Sequence, residues 1–252
     1  AQYDSEIVYH NLKDYLLDQG VIYTDMDSGV KEYPDLVREH FSKLISPSLH
    51  KYAALHYAVW SGGAFIYVPE GVDVDIPLQS YYRFNAAGAG QFEHTLIIVE
   101  KNASVHFIEG CSAPKYNVVN LHAGAVEIFI REGGKMRFST IENWAKNMYN
   151  LGTKRALVEK NAKMEWISGS FGSACTMLYP ASILVGEGAS SEYTGITFAS
   201  KGQELDTGAQ VMHYAPNTYS TINSKSIVKD GGKAYYRGTV DIGKNAQDAK
   251  CS

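Results

Sequence analysis

Cysteine is scarce in this chain: Cys111, Cys175 and Cys251 are three isolated thiols. They form no Cys-x-x-Cys pair and no ferredoxin-type run, and there is no His-Glu-x-x-His, so the familiar metal-ligand spacings are excluded. Isolated thiols suit a reducing cytoplasm better than a disulfide framework. An excess of one charge is also missing. The formal net charge of −4 gives no overall electrostatic reason to expect nucleic acid or an anionic membrane as partner. No apolar run approaches the roughly 18–20 residues of a membrane span. Ala1-Gln-Tyr-Asp-Ser-Glu6 has neither the basic region nor the apolar core of a signal peptide, and it lacks an initiator Met, which predicts a processed or excerpted chain. No Gly-rich loop follows a strand and opens a helix, so nucleotide binding has no support. Gly169-Ser-Phe-Gly-Ser173 fails the serine-hydrolase pattern.

What is present is repetition. His94-Thr-Leu-Ile-Ile-Val99 reads as an apolar strand, Glu100-Lys-Asn-Ala103 as a polar turn, and Ser104-Val-His-Phe107 as a strand that alternates sides. Similar turns return at Arg131-Glu-Gly-Gly-Lys135, Glu159-Lys-Asn-Ala162, Gly186-Glu-Gly-Ala189, Lys229-Asp-Gly-Gly-Lys233 and Gly243-Lys-Asn-Ala246. The first steps are roughly 30 residues, as in stacked repeats, and the last two are uneven. With 252 residues, 45% of them hydrophobic, the chain has ample material for a core. The expectation is a mainly β chain, a β-solenoid core over 64–252 behind a small α-helical region at 1–63. In that region Asp4 or Ser5 caps a helix carrying Val8, Leu12, Tyr15 and Leu16, which Gly20 stops. Pro34 opens a second, with Leu36, Val37, Phe41, Leu44 and Ile45 inward, and a third runs near Leu49 to Trp60. The helical start is expected to cover one open end of the stack.

Several residues carry possible chemistry. If the strand continues through Gly110, Glu109 and Cys111 share the inward face of Val105 and Phe107. Spacing alone favours a buried core cysteine there over a nucleophile, and Cys175 reads as core too. Alternation groups Met136, Phe138, Thr140, Glu142 and Trp144. A carboxylate among them needs a partner or a function unless it reaches water at the strand end, and Lys154 is a possible counter-charge. Gln79, Tyr81, Arg83 and Asn85 alternate onto a solvent-facing side, opposite Leu78, Tyr82 and Phe84. Of the eight histidines, His213 is the candidate metal ligand, because a polar Asp-Thr-Gly turn leads into its strand.

Val59-Trp-Ser-Gly-Gly-Ala-Phe-Ile-Tyr-Val-Pro69, Asn85-Ala-Ala-Gly-Ala-Gly-Gln-Phe-Glu93 and Glu109-Gly-Cys-Ser-Ala-Pro114 carry a resemblance, joined by Asn143-Trp144, Thr153-Lys-Arg155 and Asp206-Thr-Gly208. Together they resemble the SufB/SufD family of the SUF iron–sulfur cluster assembly system, on its SufB side, over essentially the whole chain. The resemblance implies a right-handed parallel β-helix and a non-catalytic scaffold. It implies that Cys111 accepts persulfide sulfur and that Arg83, Asn85, Trp144 and Lys154 line a polar sulfur path. Glu142 stands on that path where relatives often carry Gln. The solvent-facing alternation of Arg83 and Asn85 conflicts with such a path. The implied cargo is a transient iron–sulfur cluster of the 4Fe-4S type, with ligands beyond Ser252, so the chain resembles a core fragment. The implied partners are a SufC-type ATPase subunit, a SufD-like paralogue or a second copy, and a cysteine desulfurase with its sulfur-transfer protein. A SufD-like structural subunit would need no reactive Cys111. A β-helix enzyme acting on polysaccharide would need carboxylates paired along one groove, and none can be assembled from this sequence.

Overall fold

The structure, a computed structural model, describes residues 2–3, 6–7 and 12–252. Gln2–Tyr3 (β1) and Glu6–Ile7 (β2) are short strands. Asp14–Asp18 (α1), Ile22–Asp25 (β3), Met26–Glu32 (α2), Pro34–His40 (α3) and Lys51–Val59 (α4) follow. The expected cap residues Asp4 and Ser5, and Val8, lie outside the described residues. With Glu6–Ile7 a strand, the first helix is only five residues long and buries Leu16. The second opens on Pro34 as expected, since Pro lacks an N–H that the first turn cannot use. It ends at His40, which leaves Leu44 and Ile45 in the turn beyond. Helix α2 was not expected; Asp25 caps it by accepting from the Ser28 amide at 2.9 Å. Among the described residues no helix is long and apolar enough to cross a membrane.

From Ala64 the chain winds into a parallel β-solenoid of about six turns. The first turns are Ala64–Val68 (β4), Leu78–Arg83 (β5) and Gly90–Gln91 (β6), then His94–Val99 (β7), Ser104–Ser112 (β8) and Asn120–His122 (β9). Ala125–Ile130 (β10), Lys135–Trp144 (β11) and Met148–Asn150 (β12) make the next, followed by Thr153–Val158 (β13), Lys163–Gly172 (β14) and Cys175–Leu178 (β15). Ala181–Leu184 (β16), Ser190–Ala199 (β17) and Glu204–His213 (β18) come after, and Tyr219–Val228 (β19), Lys233–Ile242 (β20) and Lys250–Cys251 (β21) end it. One sheet runs β2-β1-β5-β8-β11-β14-β17-β19-β21; the other holds β3, β4 and the remaining solenoid strands. Each rung lies in register on the next: Lys135 meets Ser104 on one side and Lys163 on the other.

The N-terminal region covers the solenoid differently from the expectation. Strand β3 pairs antiparallel with β4 and closes that sheet edge, but the helices lie along the flank. Met26 and Val37 pack on Phe65, Leu96, Ile98 and Phe129, which point outward from the sheet. Their alternates Ile66, Ile97, Val99, Ile128 and Ile130 point into the solenoid. Strands β7 and β10 are therefore buried on both faces, which is why they read as unbroken apolar runs while β8 alternates.

Candidate functional site

Inward positions of the first sheet stack into rows along the solenoid. Phe107, Phe138, Trp166 and Tyr193 are register neighbours and form an aromatic row, with ring centroids 5.4 Å and 5.5 Å apart between the first three. Two residues further along each strand the interior turns polar. Ser80, Glu109, Thr140 and Ser168 form one row, and Tyr82, Cys111, Glu142, Ser170 and Thr197 the next. All nine are buried. The alternation persists through Gly110, whose missing side chain leaves room for the Tyr81 ring on the outer face.

The polar rows meet charges from the second sheet. Lys154 points inward, bonds the Glu109 carboxylate, and lies 3.9 Å from Glu142 Oε1. Thr140 Oγ1 donates to the same Glu109 oxygen at 3.1 Å. Asn150 Nδ2 donates to Glu142 Oε2 at 2.7 Å, so Asn150 Oδ1 is the acceptor that faces His122 Nδ1 at 2.7 Å. His122 Nε2 faces a Glu93 oxygen. With Glu93 held ionised, both imidazole nitrogens donate and His122 is an imidazolium. Burial opposes that charge, yet the Glu93 charge and the hydrogen bonds from Glu93 and Asn150 raise its pKa to about 9. Burial likewise opposes the Lys154 ammonium and is outweighed by Glu109 and Glu142, so its pKa is raised. Glu142 is itself pushed up by burial, against the pull of Lys154 and His122.

Cys111 lies at the margin of this network, among Tyr82, Phe84, Trp144 and Met148. Only 2% of it is exposed. Burial, then Glu109, Glu93 and Glu142, hold its thiol well above the ordinary range, so the folded interior keeps it protonated. The Trp144 ring lies against His122 with centroids 4.7 Å apart, and its buried Nε1 has no hydrogen-bond partner among the described residues.

Cys111, Glu142, Trp144 and Lys154 are thus brought together inside the solenoid. Arg83 and Asn85 are not: Arg83 is half-buried, Asn85 is exposed, and Arg83 Nε donates to Asn85 Oδ1 at 3.2 Å. The solvent-facing alternation describes them correctly. Cys175 is not core either, because it stands half-buried on the outer side of β15 while its neighbour Thr176 points in. His213 is buried, with Nδ1 on Thr218 Oγ1 at 2.8 Å and Nε2 on Ser220 Oγ at 2.9 Å. Among the described residues no group of three or more His, Cys, Asp or Glu could hold a metal ion. Glu93, His122 and Asn150 were missed by sequence reasoning. His122 and Asn150 end strands of three residues, too short to display alternation, and Glu93 lies in the link between the two-residue β6 and β7.

Two families match this chain: "SUF system FeS cluster assembly, SufBD core domain" over residues 82–252, and "SufBD protein N-terminal region" over residues 4–80. The chain is 56% identical over 250 residues to the iron-sulfur cluster assembly protein SufB of Bacillus subtilis. It is 51% identical over 250 residues to an iron-sulfur cluster assembly SufBD family protein of Staphylococcus epidermidis. Each match covers 99% of this chain and 54% of the relative, so the chain spans about half the length of the curated relatives it matches.

Proposed function

Because this chain belongs to the SufB/SufD family of the SUF iron–sulfur cluster assembly system, we propose that it is the core of a scaffold that takes up sulfur on Cys111. The observation that carries this reading is one buried thiol beside two rows of interior polar groups, in register with Glu142 and two residues from Glu109 on its own strand, both carboxylates being charged partners of Lys154. A sulfur atom carried as a persulfide needs one thiolate and a polar interior that tolerates its charge. Cys111, Glu142, Trp144 and Lys154 form the inner path, and Arg83 and Asn85 act at the outer surface where a donor protein presents its sulfur. The cargo is a transient 4Fe-4S cluster ligated by residues beyond Ser252, with no turnover by this chain and no resident metal at His213. It works in the cytoplasm with a SufC-type ATPase subunit, a SufD-like paralogue or second copy, and a cysteine desulfurase with its sulfur-transfer protein.

Transfer of labelled sulfur from a desulfurase relay tests the reading. Cys111→Ser is expected to abolish uptake because a hydroxyl forms no persulfide. It should leave the rungs folded at a cost of about 1–2 kcal/mol for an unpartnered buried hydroxyl. Cys175→Ser is expected to keep full uptake. The burial of Cys111 favours a second reading, a SufD-like structural subunit of the same assembly. Sulfur found on Cys111 by peptide mass excludes that one, and undiminished uptake by Cys111→Ser excludes the first.

A further inference from the structure

The buried charges of the interior do not match one to one. Lys154 holds Glu109 and His122 holds Glu93, whereas among the described residues Glu142 has only a neutral Asn150 amide at hydrogen-bond distance and a shared Lys154 at 3.9 Å. Glu142 is the carboxylate left over when the two cations are assigned. It is also the register partner of Cys111 on the adjacent rung, with both side chains inward. Strand spacing sets their backbones about 4.8 Å apart. The ionisable groups around Glu142 are Cys111 and Glu109 from β8, Lys154 from β13, His122 from β9, Tyr193 from β17 and Tyr82 from β5.

We propose that Glu142 takes the proton that Cys111 releases when it becomes a nucleophile, an inference that rests on the sulfur-acceptor reading and adds a second residue to it. The Cys111 proton moves to the Glu142 carboxylate. The Cys111 thiolate attacks the sulfane sulfur of a donor persulfide. A new S–S bond forms at Cys111 Sγ, the donor's S–S bond breaks, and its electron pair leaves on the donor thiolate. Nothing is oxidised or reduced overall, and the proton transfer itself leaves the net charge of the interior unchanged. Loss of the same proton to solvent would instead add an unbalanced anion beside three carboxylates, which a buried site strongly opposes. Burial raises the Glu142 carboxyl and so favours its accepting a proton.

The test measures modification of Cys111 in the full chain against pH with two probes, inorganic polysulfide and methyl methanethiolsulfonate. Intact mass is the readout and Cys111→Ser the blank. The parent is expected to react with a shallow pH dependence. Glu142→Gln, which keeps the shape and the acceptor for Asn150, is expected to react roughly a hundredfold more slowly at neutral pH. Its rate should climb about tenfold per pH unit as hydroxide takes over. Glu142→Met serves in its place if thermal melts show the Gln variant unfolded. Parallel pH profiles for parent and variant with both probes overturn the proposal, and so does a parent inert to both. If the thiosulfonate behaves as expected while polysulfide loads no sulfur, proton transfer stands and the sulfur-acceptor reading fails.

Discussion

His122 shows how the partners of a buried ring assign its charge. Glu93, kept ionised against its burial by the His122 charge and hydrogen bond, and the Asn150 carbonyl accept only, so the imidazole carries both protons. Its folded pKa of about 9 lies above the unfolded value near 6.5. A group raised on folding contributes its full stabilisation below the unfolded pKa and loses it as pH rises through the folded one. The contribution amounts to about 3 kcal/mol at most. Thermal melts should therefore show the midpoint falling between pH 6.5 and 9 in the parent. His122→Asn should start lower and lose that slope; equal slopes would mean that His122 folds neutral. Glu127 does a structural task of the same kind on the outer face. It accepts the Ser42, Leu44 and Ile45 amides at 2.6, 2.6 and 2.9 Å, and His94 Nε2 at 3.1 Å. One carboxylate thereby pins the turn after α3 to the solenoid.

At the scale of elements, the corners explain both the repeat and its irregularity. In the corners at 100–103, 131–134, 159–162 and 186–189 the fourth amide bonds the first carbonyl, and the third residue has positive φ. That conformation selects Asn or Gly. The corners also bond to one another: the amides of Asn102, Gly133, Asn161 and Gly188 reach carbonyls of the next corner. The Asn102 side chain lies where a Cβ on Gly133 would fall, and Asn161 does the same over Gly188. Asn and Gly alternate because each Asn covers the Gly stacked beside it. The uneven late steps have a plain origin. Lys229-Asp-Gly-Gly232 belongs to the opposite corner, between β19 and β20, while Ala215-Pro-Asn-Thr218 makes the corner expected there, with Asn217 at φ +57°. Asn161→Gly should be nearly neutral in urea unfolding. Asn161→Ala should cost about 1–2 kcal/mol through left-handed strain; equal stability of the two would remove the conformational explanation.

At the scale of the molecule, the N-terminal region serves as a side wall and an edge cover. Removing the residues before Ala64 leaves β4 without its antiparallel partner and uncovers Phe65, Leu96, Ile98 and Phe129. An open strand edge beside a bare apolar face templates association. The truncated chain is expected to scatter light and elute as large species where the parent does not. A soluble, monomeric truncated chain would show that the solenoid manages without the wall.

Much of this was legible before any coordinates. Period-two alternation announced the strands and kept Glu109 and Cys111 on one face, because a pleated strand turns its side chains by a fixed rule. It likewise collected Met136, Phe138, Thr140, Glu142 and Trp144, all of them buried, and set Arg83 and Asn85 outside. Turn chemistry at Asn102 and Asn161 was equally visible, since positive φ restricts residue choice locally. Other features depend on what lies across the solenoid. That Lys154 would be buried on Glu109, that His122 would be charged, and that α2–α4 would take the flank cannot be read from neighbours in sequence. Glu93, His122 and Asn150 come from separate rungs roughly 30 residues apart, the last two on strands too short to alternate and Glu93 in a link between strands. Their protonation follows from who faces whom. Local backbone preference determined the strands and corners; the stacking register alone decided which charges share the interior and therefore which carboxylate is left without a cation.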